Sequence, residues 1–170
     1  MNQFGNKIDS LLSTDRICNL IKYSNACASL GGYIAEFGTY HGGSLEILAK
    51  YNLGVSIIGL DSFEGVSEPT SNDFHQQGDL VAMDVRKVIG YFNYVYPAVR
   101  IVKGFIPKAF DFFDEHTRFS FVHIDLDMEN AIYDSLDFVL PRLLTGGMIL
   151  MDDYKVRSTP GCKVAIERFF

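Results

Sequence analysis

The sequence predicts an α/β fold in which a mainly parallel sheet is doubly wound, with helices on both faces. Apolar runs of strand length alternate with helical patterns after about residue 30. Several of these runs are apolar throughout, as in strands that helices cover on both sides. Acidic residues recur where the runs end. Since parallel strands that alternate with helices are joined by right-handed crossovers, such a chain builds one wound sheet.

The predicted elements alternate along the chain, and the longest irregular segment between them is the polar stretch 64–78. Apolar runs bounded by turn residues predict strands at 32–38, 55–62, 99–104, 119–127 and 148–154. Helical periodicity predicts helices at 42–50, 80–95, 131–144 and 161–170, and a short helical segment at 110–115. Pro141 predicts a kink or an early end in the third of these helices. The length fits a single domain over 1–170, with an N-terminal helical segment at 1–30.

Composition excludes several classes of protein. The formal net charge of −6 argues against nucleic acid or an anionic membrane surface as the partner. The N-terminal residues lack the apolar stretch of a signal peptide, and no window is long enough to cross a bilayer. The three cysteines show no zinc or redox spacing and are interpreted as reduced thiols. We therefore expect a soluble, cytoplasmic protein.

Six acidic residues lie at or near the carboxyl end of a predicted strand. In a doubly wound sheet these ends meet at one edge, and ligands bind in the crevice outside them. The sequence therefore predicts a functional site at this edge, with these carboxylates in it: Glu36, Asp61, Asp125, Asp127, Asp152 and Asp153.

The segment 36–44 joins the first strand to the first helix of the sheet. It reads Glu-Phe-Gly-Thr-Tyr-His-Gly-Gly-Ser, so Gly38, Gly42 and Ser44 lie where the chain turns into the helix. Glycines allow a sharp turn and close approach of a ligand, and the helix N-terminus offers free N–H groups. Because the spacing is not G-x-G-x-x-G, a dinucleotide is disfavoured. An acid before such a turn suits a ligand with an ammonium group and hydroxyls, such as S-adenosylmethionine; the alternative is a tight turn without a ligand.

Asp61 ends the second predicted strand and is followed by Ser62. An acid in this place commonly accepts hydrogen bonds from ribose hydroxyls. The alternative is that Asp61 caps the following loop. Phe63 and Phe105 are positioned to flank an adenine ring, although a core role is the commoner one for either side chain. Residues 64–78, rich in Ser, Pro, Asn, Asp and Gln, are typical of a mobile loop over a site.

The later four acids predict a metal site for Mg²⁺ or Mn²⁺. Hard oxygen ligands from adjacent strand ends suit these ions. Without a cation, four acids so close together would repel by several kcal/mol. In the alternative, Asp127 caps a helix, and Asp152 and Asp153 lie in a solvated loop. Asp125-Leu126-Asp127 also fits the D-x-D pattern of metal-dependent glycosyltransferases.

The histidines lack metal-ligand spacing. His123 lies in an apolar strand and is interpreted as a core histidine with its hydrogen bonds satisfied. His75 lies in the polar loop and would be a candidate base if that loop closes over the site.

Five motifs, in order, resemble the macrocin-type (TylF-like) O-methyltransferase family over roughly residues 30 to 170. They are AEFGTYHGGS, GLDSFEGVSEP, VRIVKGF, FVHIDLD and PRLLTGGMILMDDY. The resemblance implies a Rossmann-like methyltransferase fold, S-adenosylmethionine as methyl donor and a divalent metal, commonly Mg²⁺. Family members often methylate sugar hydroxyls of natural products.

Transferred by position, the family's cofactor acids fall on Glu36 and Asp61, and its metal ligands on Asp125, Asp152 and Asp153. Asp127 matches an acid in the catalytic loop and is the candidate base. We therefore expect metal-dependent O-methylation of a hydroxyl on a small molecule, a sugar or other natural product. A metal-dependent glycosyltransferase and a non-enzymatic S-adenosylmethionine-binding module remain as alternatives. The family's final strand pair would follow residue 170, so we expect a sheet without it and a homo-oligomer.

Overall fold

The computed structural model describes residues 10–82 and 84–170, whose five strands form one parallel sheet. The strands are β1 (Tyr33–Phe37), β2 (Ile57–Asp61), β3 (Val99–Lys103), β4 (Phe119–Ile124) and β5 (Leu143–Met151). Their order across the sheet is β3-β2-β1-β4-β5, and each neighbouring pair is parallel. The predicted doubly wound sheet is thereby confirmed.

Five helices connect and flank these strands. They are α1 (Thr14–Cys27), α2 (Gly43–Tyr51), α3 (Val85–Val95), α4 (Glu129–Val139) and α5 (Pro160–Phe169). Short 3-10 helices occupy Ala28–Leu30, Lys108–Phe112 and Leu140–Arg142. Of the predicted N-terminal helical segment, α1 lies in the described region, whereas residues 1–9 lie outside it. Among the helices that the structure describes, none has the length and apolar composition needed to span a bilayer.

Two helix boundaries differ from the prediction for local reasons. Helix α3 begins at Val85 instead of residue 80, because the Asp84 side chain accepts a hydrogen bond from the backbone N–H of Arg86 and caps the helix. Helix α4 ends at Val139, and Pro141 lies in the 3-10 helix that follows. The early end predicted from this proline is therefore present.

The two faces of the sheet bury different sets of side chains. Ile34, Ile57 and Phe121 pack with residues of α1, α2 and α3 on one face. Ala35 and Val122 belong to a second cluster with residues of α4 and α5 on the other face. Alternation along each strand sends successive side chains to opposite layers. Burial of each large apolar side chain contributes about 1.5–3 kcal/mol, which fixes the register of these strands.

Strands β4 and β5 end earlier than predicted, at Ile124 and Met151 instead of residues 127 and 154. Asp127 has a φ of 61°, in the left-handed region, so the strand cannot continue through it. Strand β5 also begins five residues earlier than predicted, at Leu143. The four acids predicted at the ends of β4 and β5 therefore lie in the loops directly after these strands, whereas Glu36 and Asp61 lie on β1 and β2.

The chain reverses its direction of travel across the sheet between β1 and β4. From β1 it proceeds outward to β2 and β3, and it returns to β4 and β5 on the other side of β1. The loops after β1 and β4 consequently diverge and leave a crevice between them. Gly38 is required here, because a Cβ at this position would overlap the backbone oxygen of Asp125, and its φ is 93°.

Candidate active site

A cavity of about 330 Å³ lies at this crevice, outside the carboxyl ends of the strands. Loops after β1, β2, β4 and β5 contribute to its lining, together with the first turn of α1 and part of the polar loop after β2. Five of the six predicted acids line the cavity: Asp61, Asp125, Asp127, Asp152 and Asp153. The structure therefore brings most of the predicted site residues together.

Asp61 is held rigidly at the cavity wall by backbone donors. Its Oδ2 accepts a hydrogen bond from Tyr40 N at 2.7 Å, and its Oδ1 accepts one from Phe63 N at 2.6 Å. The neighbouring Ser62 hydroxyl donates to the carbonyl oxygen of Gly65 at 2.7 Å and fixes the next turn. Each carboxylate oxygen can accept a further bond, so the arrangement suits a vicinal diol. Asp61 thus both caps its loop and faces the cavity.

Glu36 and His123 form a buried pair that does not line the cavity. Both side chains are fully buried, and His123 Nδ1 lies 2.9 Å from Glu36 Oε1. Burial acts to lower the pKa of His123, but the neighbouring carboxylates of Asp152, Glu36 and Asp125 outweigh it and raise the pKa to about 10. The interpretation of His123 as a core histidine agrees with this position, but its hydrogen bonds are not all satisfied, because Nε2 has no hydrogen-bond partner among the described residues. Cofactor binding by Glu36 stays a prediction.

The other predicted cofactor residues divide between the cavity and the turn behind it. Gly38 and Ser62 line the cavity. Gly42 caps α2 with a φ of 92°, and its α-carbon faces the ring of Phe92 without room for a Cβ. Ser44 is buried in the first turn of α2. Direct cofactor contact by Gly42 and Ser44 therefore stays a prediction, as does Phe105 beside an adenine, although Phe105 lines the cavity.

The other four predicted acids lie in the part of the cavity at the carboxyl ends of β4 and β5: Asp125, Asp127, Asp152 and Asp153. One carboxylate oxygen each from Asp125, Asp127 and Asp153 lies within 4.8 Å of the others. A second set with the same spacing contains His123, Asp125 and Asp152. Asp153 is only 7% exposed, and its Oδ2 has no hydrogen-bond partner among the described residues. This arrangement could hold a cation.

The pKa values of these acids reflect their burial and crowding. Burial raises the pKa of Asp127 to about 7, and the charge of Asp153 adds to the increase. Burial and neighbouring carboxylates also raise the pKa of Asp125 and of Asp153. Such shifts mean that the ionised cluster is disfavoured without a cation. The buried Asp153 oxygen without a partner and the all-oxygen donor set of Asp125, Asp127 and Asp153 fit a hard divalent ion.

Arg16 is a residue of this site that the sequence did not reveal. Its Nη1 atom donates a hydrogen bond to Asp152 Oδ2 and lies 4.0 Å from Asp153 Oδ1. The two partners are 136 residues apart in the sequence, so no local pattern links them. Only the packing of α1 against β5 brings them together.

The polar loop after β2 is fastened to the start of α4. Glu129 Oε2 accepts hydrogen bonds from Thr70 Oγ1 at 2.9 Å and from Asn72 Nδ2 at 2.8 Å, while its Oε1 accepts one from Arg168 at 2.8 Å. His75, farther along the loop, lines the cavity. The loop thus forms one wall of the site, as the sequence predicted for a segment over a site.

Comparison with known proteins places the chain in a family. The family model of macrocin O-methyltransferase (TylF) matches residues 11–170. No curated protein sequence matches the chain.

Three solved structures illustrate the similarity of fold. The O-methyltransferase NovP has a TM-score of 0.82 at 19% identity, covering 96% of this chain and 74% of NovP. CalS11, a calicheamicin methyltransferase, has a TM-score of 0.75 at 19% identity, covering 91% of this chain and 70% of CalS11. An O-methyltransferase from Bacillus cereus in complex with S-adenosylhomocysteine has a TM-score of 0.64 at 18% identity, covering 93% and 68%.

These matches identify the fold and the family of the chain. The five-stranded parallel sheet is the Rossmann-like sheet of class I methyltransferases. The family match also removes the glycosyltransferase and the non-enzymatic module as alternatives. The chain belongs to the macrocin O-methyltransferase (TylF) family and is an S-adenosylmethionine-dependent O-methyltransferase.

Proposed function

We propose that this enzyme methylates a hydroxyl of a sugar or other natural product, with a divalent metal held by Asp125, Asp152 and Asp153. The observation that carries the proposal is that these acids line the same cavity as Asp61, and that Asp125 belongs to both sets of closely spaced donors, one with Asp152 and one with Asp153. Cofactor and acceptor sites must adjoin, because methyl transfer requires the acceptor oxygen in line with the sulfonium methyl.

The cofactor half of the cavity is proposed at the ends of β1 and β2. Asp61 supplies acceptors for the ribose hydroxyls, and its two bonds to backbone N–H groups hold it in a fixed orientation. Gly38 leaves the backbone accessible to the ligand beside it. A preoriented carboxylate loses little entropy on binding, which favours affinity.

The acceptor half is proposed at the ends of β4 and β5. Asp125, Asp152 and Asp153 would hold Mg²⁺ or Mn²⁺, which lowers the pKa of a hydroxyl and fixes its direction. Asp127, which lines the cavity beside these ligands, is proposed to take the hydroxyl proton. The acceptor oxygen then forms a bond to the methyl carbon as the carbon–sulfur bond breaks, which leaves S-adenosylhomocysteine.

The proposed acceptor class rests on similar enzymes. CalS11 is described as a TDP-rhamnose 3'-O-methyltransferase. TomG from Streptomyces achromogenes takes part in tomaymycin synthesis. Both act in the formation of natural products, and the cavity here is of a size for a small molecule. A nucleotide-activated deoxysugar is therefore a sensible first acceptor to assay.

The test combines binding and turnover. S-adenosylhomocysteine binding is measured by calorimetry, and methyl transfer from labelled S-adenosylmethionine is measured over a panel of sugar and phenol hydroxyls. We expect Asp61→Ala to weaken S-adenosylhomocysteine binding at least tenfold. We expect Asp152→Ala to leave that binding nearly intact but to abolish transfer. Glu64→Gln, at an exposed position paired with Lys103, serves as the control.

Two results would contradict the proposal. Normal turnover by Asp152→Ala in the presence of a chelator would exclude the metal role. Unchanged S-adenosylhomocysteine affinity in Asp61→Ala would exclude the ribose contact.

A further inference from the structure

Arg16 makes the contact on which the inference rests. Its guanidinium Nη1 bonds Asp152 Oδ2 and approaches Asp153 Oδ1 at 4.0 Å. The Asp152 and Asp153 side chains are only 6% and 8% exposed, whereas that of Arg16 is 39% exposed. A cation that reaches from the surface to two buried carboxylates offsets part of their mutual repulsion.

Arg16 belongs to the first turn of α1, whose other end is firmly packed. Leu20, Ser24 and Cys27 anchor the later turns of the helix in the protein. By contrast, the first turn and the residues before it are partly or largely exposed, although Leu12 and Arg16 line the cavity. The start of α1 can therefore leave the cavity without unpacking the rest of the helix.

A divalent ion would require the same carboxylates. Mg²⁺ needs its oxygen ligands at about 2.0–2.1 Å, far closer than a guanidinium approaches them. It also brings two positive charges where Arg16 brings one. The guanidinium of Arg16 and the divalent ion therefore compete for the carboxylate oxygens of Asp152 and Asp153.

We propose that Arg16 is an internal counter-cation of the acidic site that exchanges with the divalent metal, and that this exchange releases the first turn of α1 from the cavity. The inference rests on the proposed metal site. When the metal binds, Arg16 moves away from the carboxylates, and the part of the cavity wall formed by Leu12 and Arg16 opens. Metal binding is thereby coupled to access to the acceptor half of the cavity.

Mn²⁺ affinity of the purified protein tests the exchange without an acceptor substrate. We expect Arg16→Gln to bind Mn²⁺ roughly three- to tenfold more tightly than the wild type, because the competing cation is removed. Arg16→Lys keeps the charge but loses the planar guanidinium, so its Mn²⁺ affinity is expected to lie between those of the wild type and Arg16→Gln. Arg100→Gln removes an exposed charge that contacts Phe112 and serves as the control for net charge. Its Mn²⁺ affinity should match that of the wild type.

Limited trypsin digestion tests the release of the helix start. In wild-type protein, saturating Mn²⁺ should accelerate cleavage after Arg16 at least threefold, as followed by mass spectrometry. Cleavage after Lys50, which is exposed at the end of α2, should keep its rate.

The outcomes separate this inference from the proposed function. If the wild type binds Mn²⁺ but Arg16→Gln binds it equally or more weakly, the exchange is wrong and the metal site stands. If Mn²⁺ does not change the rate of cleavage after Arg16, metal binding does not release the first turn of α1 from the cavity. If none of the variants binds Mn²⁺, the metal part of the proposed function fails, and the exchange fails with it.

Discussion

Glu36 on β1 and His123 on β4 face each other across the centre of the sheet, bonded at 2.9 Å with no exposure to solvent. They are register partners, so the two strands bring the pair together directly. A carboxylate and an imidazolium at such a site are each costly to bury and are tolerated because they are paired. Their contact lies directly behind the acidic cluster, since His123 Nε2 is 3.7 Å from Asp152 Oδ1.

Glu36→Gln should therefore lower the free energy of unfolding by about 3–5 kcal/mol, because the buried His123 charge loses its hydrogen-bonded carboxylate and keeps only the more distant carboxylate of Asp152. Urea denaturation measures this loss. The double variant Glu36→Gln/His123→Gln should lose clearly less than the sum of the two single variants. Additive losses would show that the two side chains act independently.

Gly38→Ala should prevent stable folding, whereas Gly31→Ala should be tolerated. Both glycines have φ values in the left-handed region, 93° and 80°. A Cβ at Gly38 would overlap the backbone oxygen of Asp125, but a Cβ at Gly31 meets nothing within 4 Å. Gly31 has a φ of 80° and a ψ of −172°, a conformation that costs a residue with a Cβ about 1–3 kcal/mol, so this is the loss expected for Gly31→Ala in thermal denaturation. Equal losses at the two positions would contradict the close approach of β1 and β4.

The sequence patterns predicted the sheet well because the central strands are short, apolar and bounded by turns. The predicted bounds of β2 and β3 differ from the observed ones by two residues at most. Strand β5 was predicted five residues too late, since Thr145-Gly146-Gly147 suggests a turn. Gly147 is instead needed inside the strand, where a Cβ would lie 2.8 Å from the backbone oxygen of Ser120. Pairing with β4 overrides the weak strand propensity of glycine.

The acids of the site could be predicted for a similar reason. Residues after parallel strands must gather at one edge, so Asp61, Asp125 and Asp152 could be grouped before the structure was known. The contacts of Arg16 and Glu129 could not be predicted in this way. Arg16 on α1 reaches Asp152, and Glu129 on α4 reaches Thr70 and Asn72, only because the fold packs segments together that are far apart in the sequence. The sequence places Glu36 near this edge of the sheet, but it does not show that the Glu36 side chain is buried against His123 instead of lining the cavity. That distinction depends on the face of the sheet to which it points.

Glu129→Ala should expose the polar loop to proteolysis. Glu129 is buried and accepts hydrogen bonds from Thr70 and Asn72 of the loop. Each lost bond to a charged group costs about 1.5–3 kcal/mol. Chymotrypsin cleavage after Phe74, which is 68% exposed, should therefore become at least fivefold faster.

The matched control for this loop is Glu167→Ala. Glu167 lies on α5, is exposed and pairs with Lys163 at 3.6 Å. Its removal should leave the cleavage rate unchanged. An unchanged rate in Glu129→Ala would mean that the loop is held by other contacts.

Without metal, the protein should become less stable as the pH rises from about 4 to 10. The folded-state pKa of Asp127 is raised from 3.8 to about 7, so its contribution is full below 3.8 and is lost through 7. The pKa of His123 is raised from 6.5 to about 10, so its contribution is full below 6.5 and is lost through 10. Thermal unfolding in chelator at several pH values measures both decreases. Saturating Mn²⁺ should abolish the decrease between pH 4 and 7, because the ion stabilises the ionised carboxylates; the same slope with and without Mn²⁺ would contradict a metal at these acids.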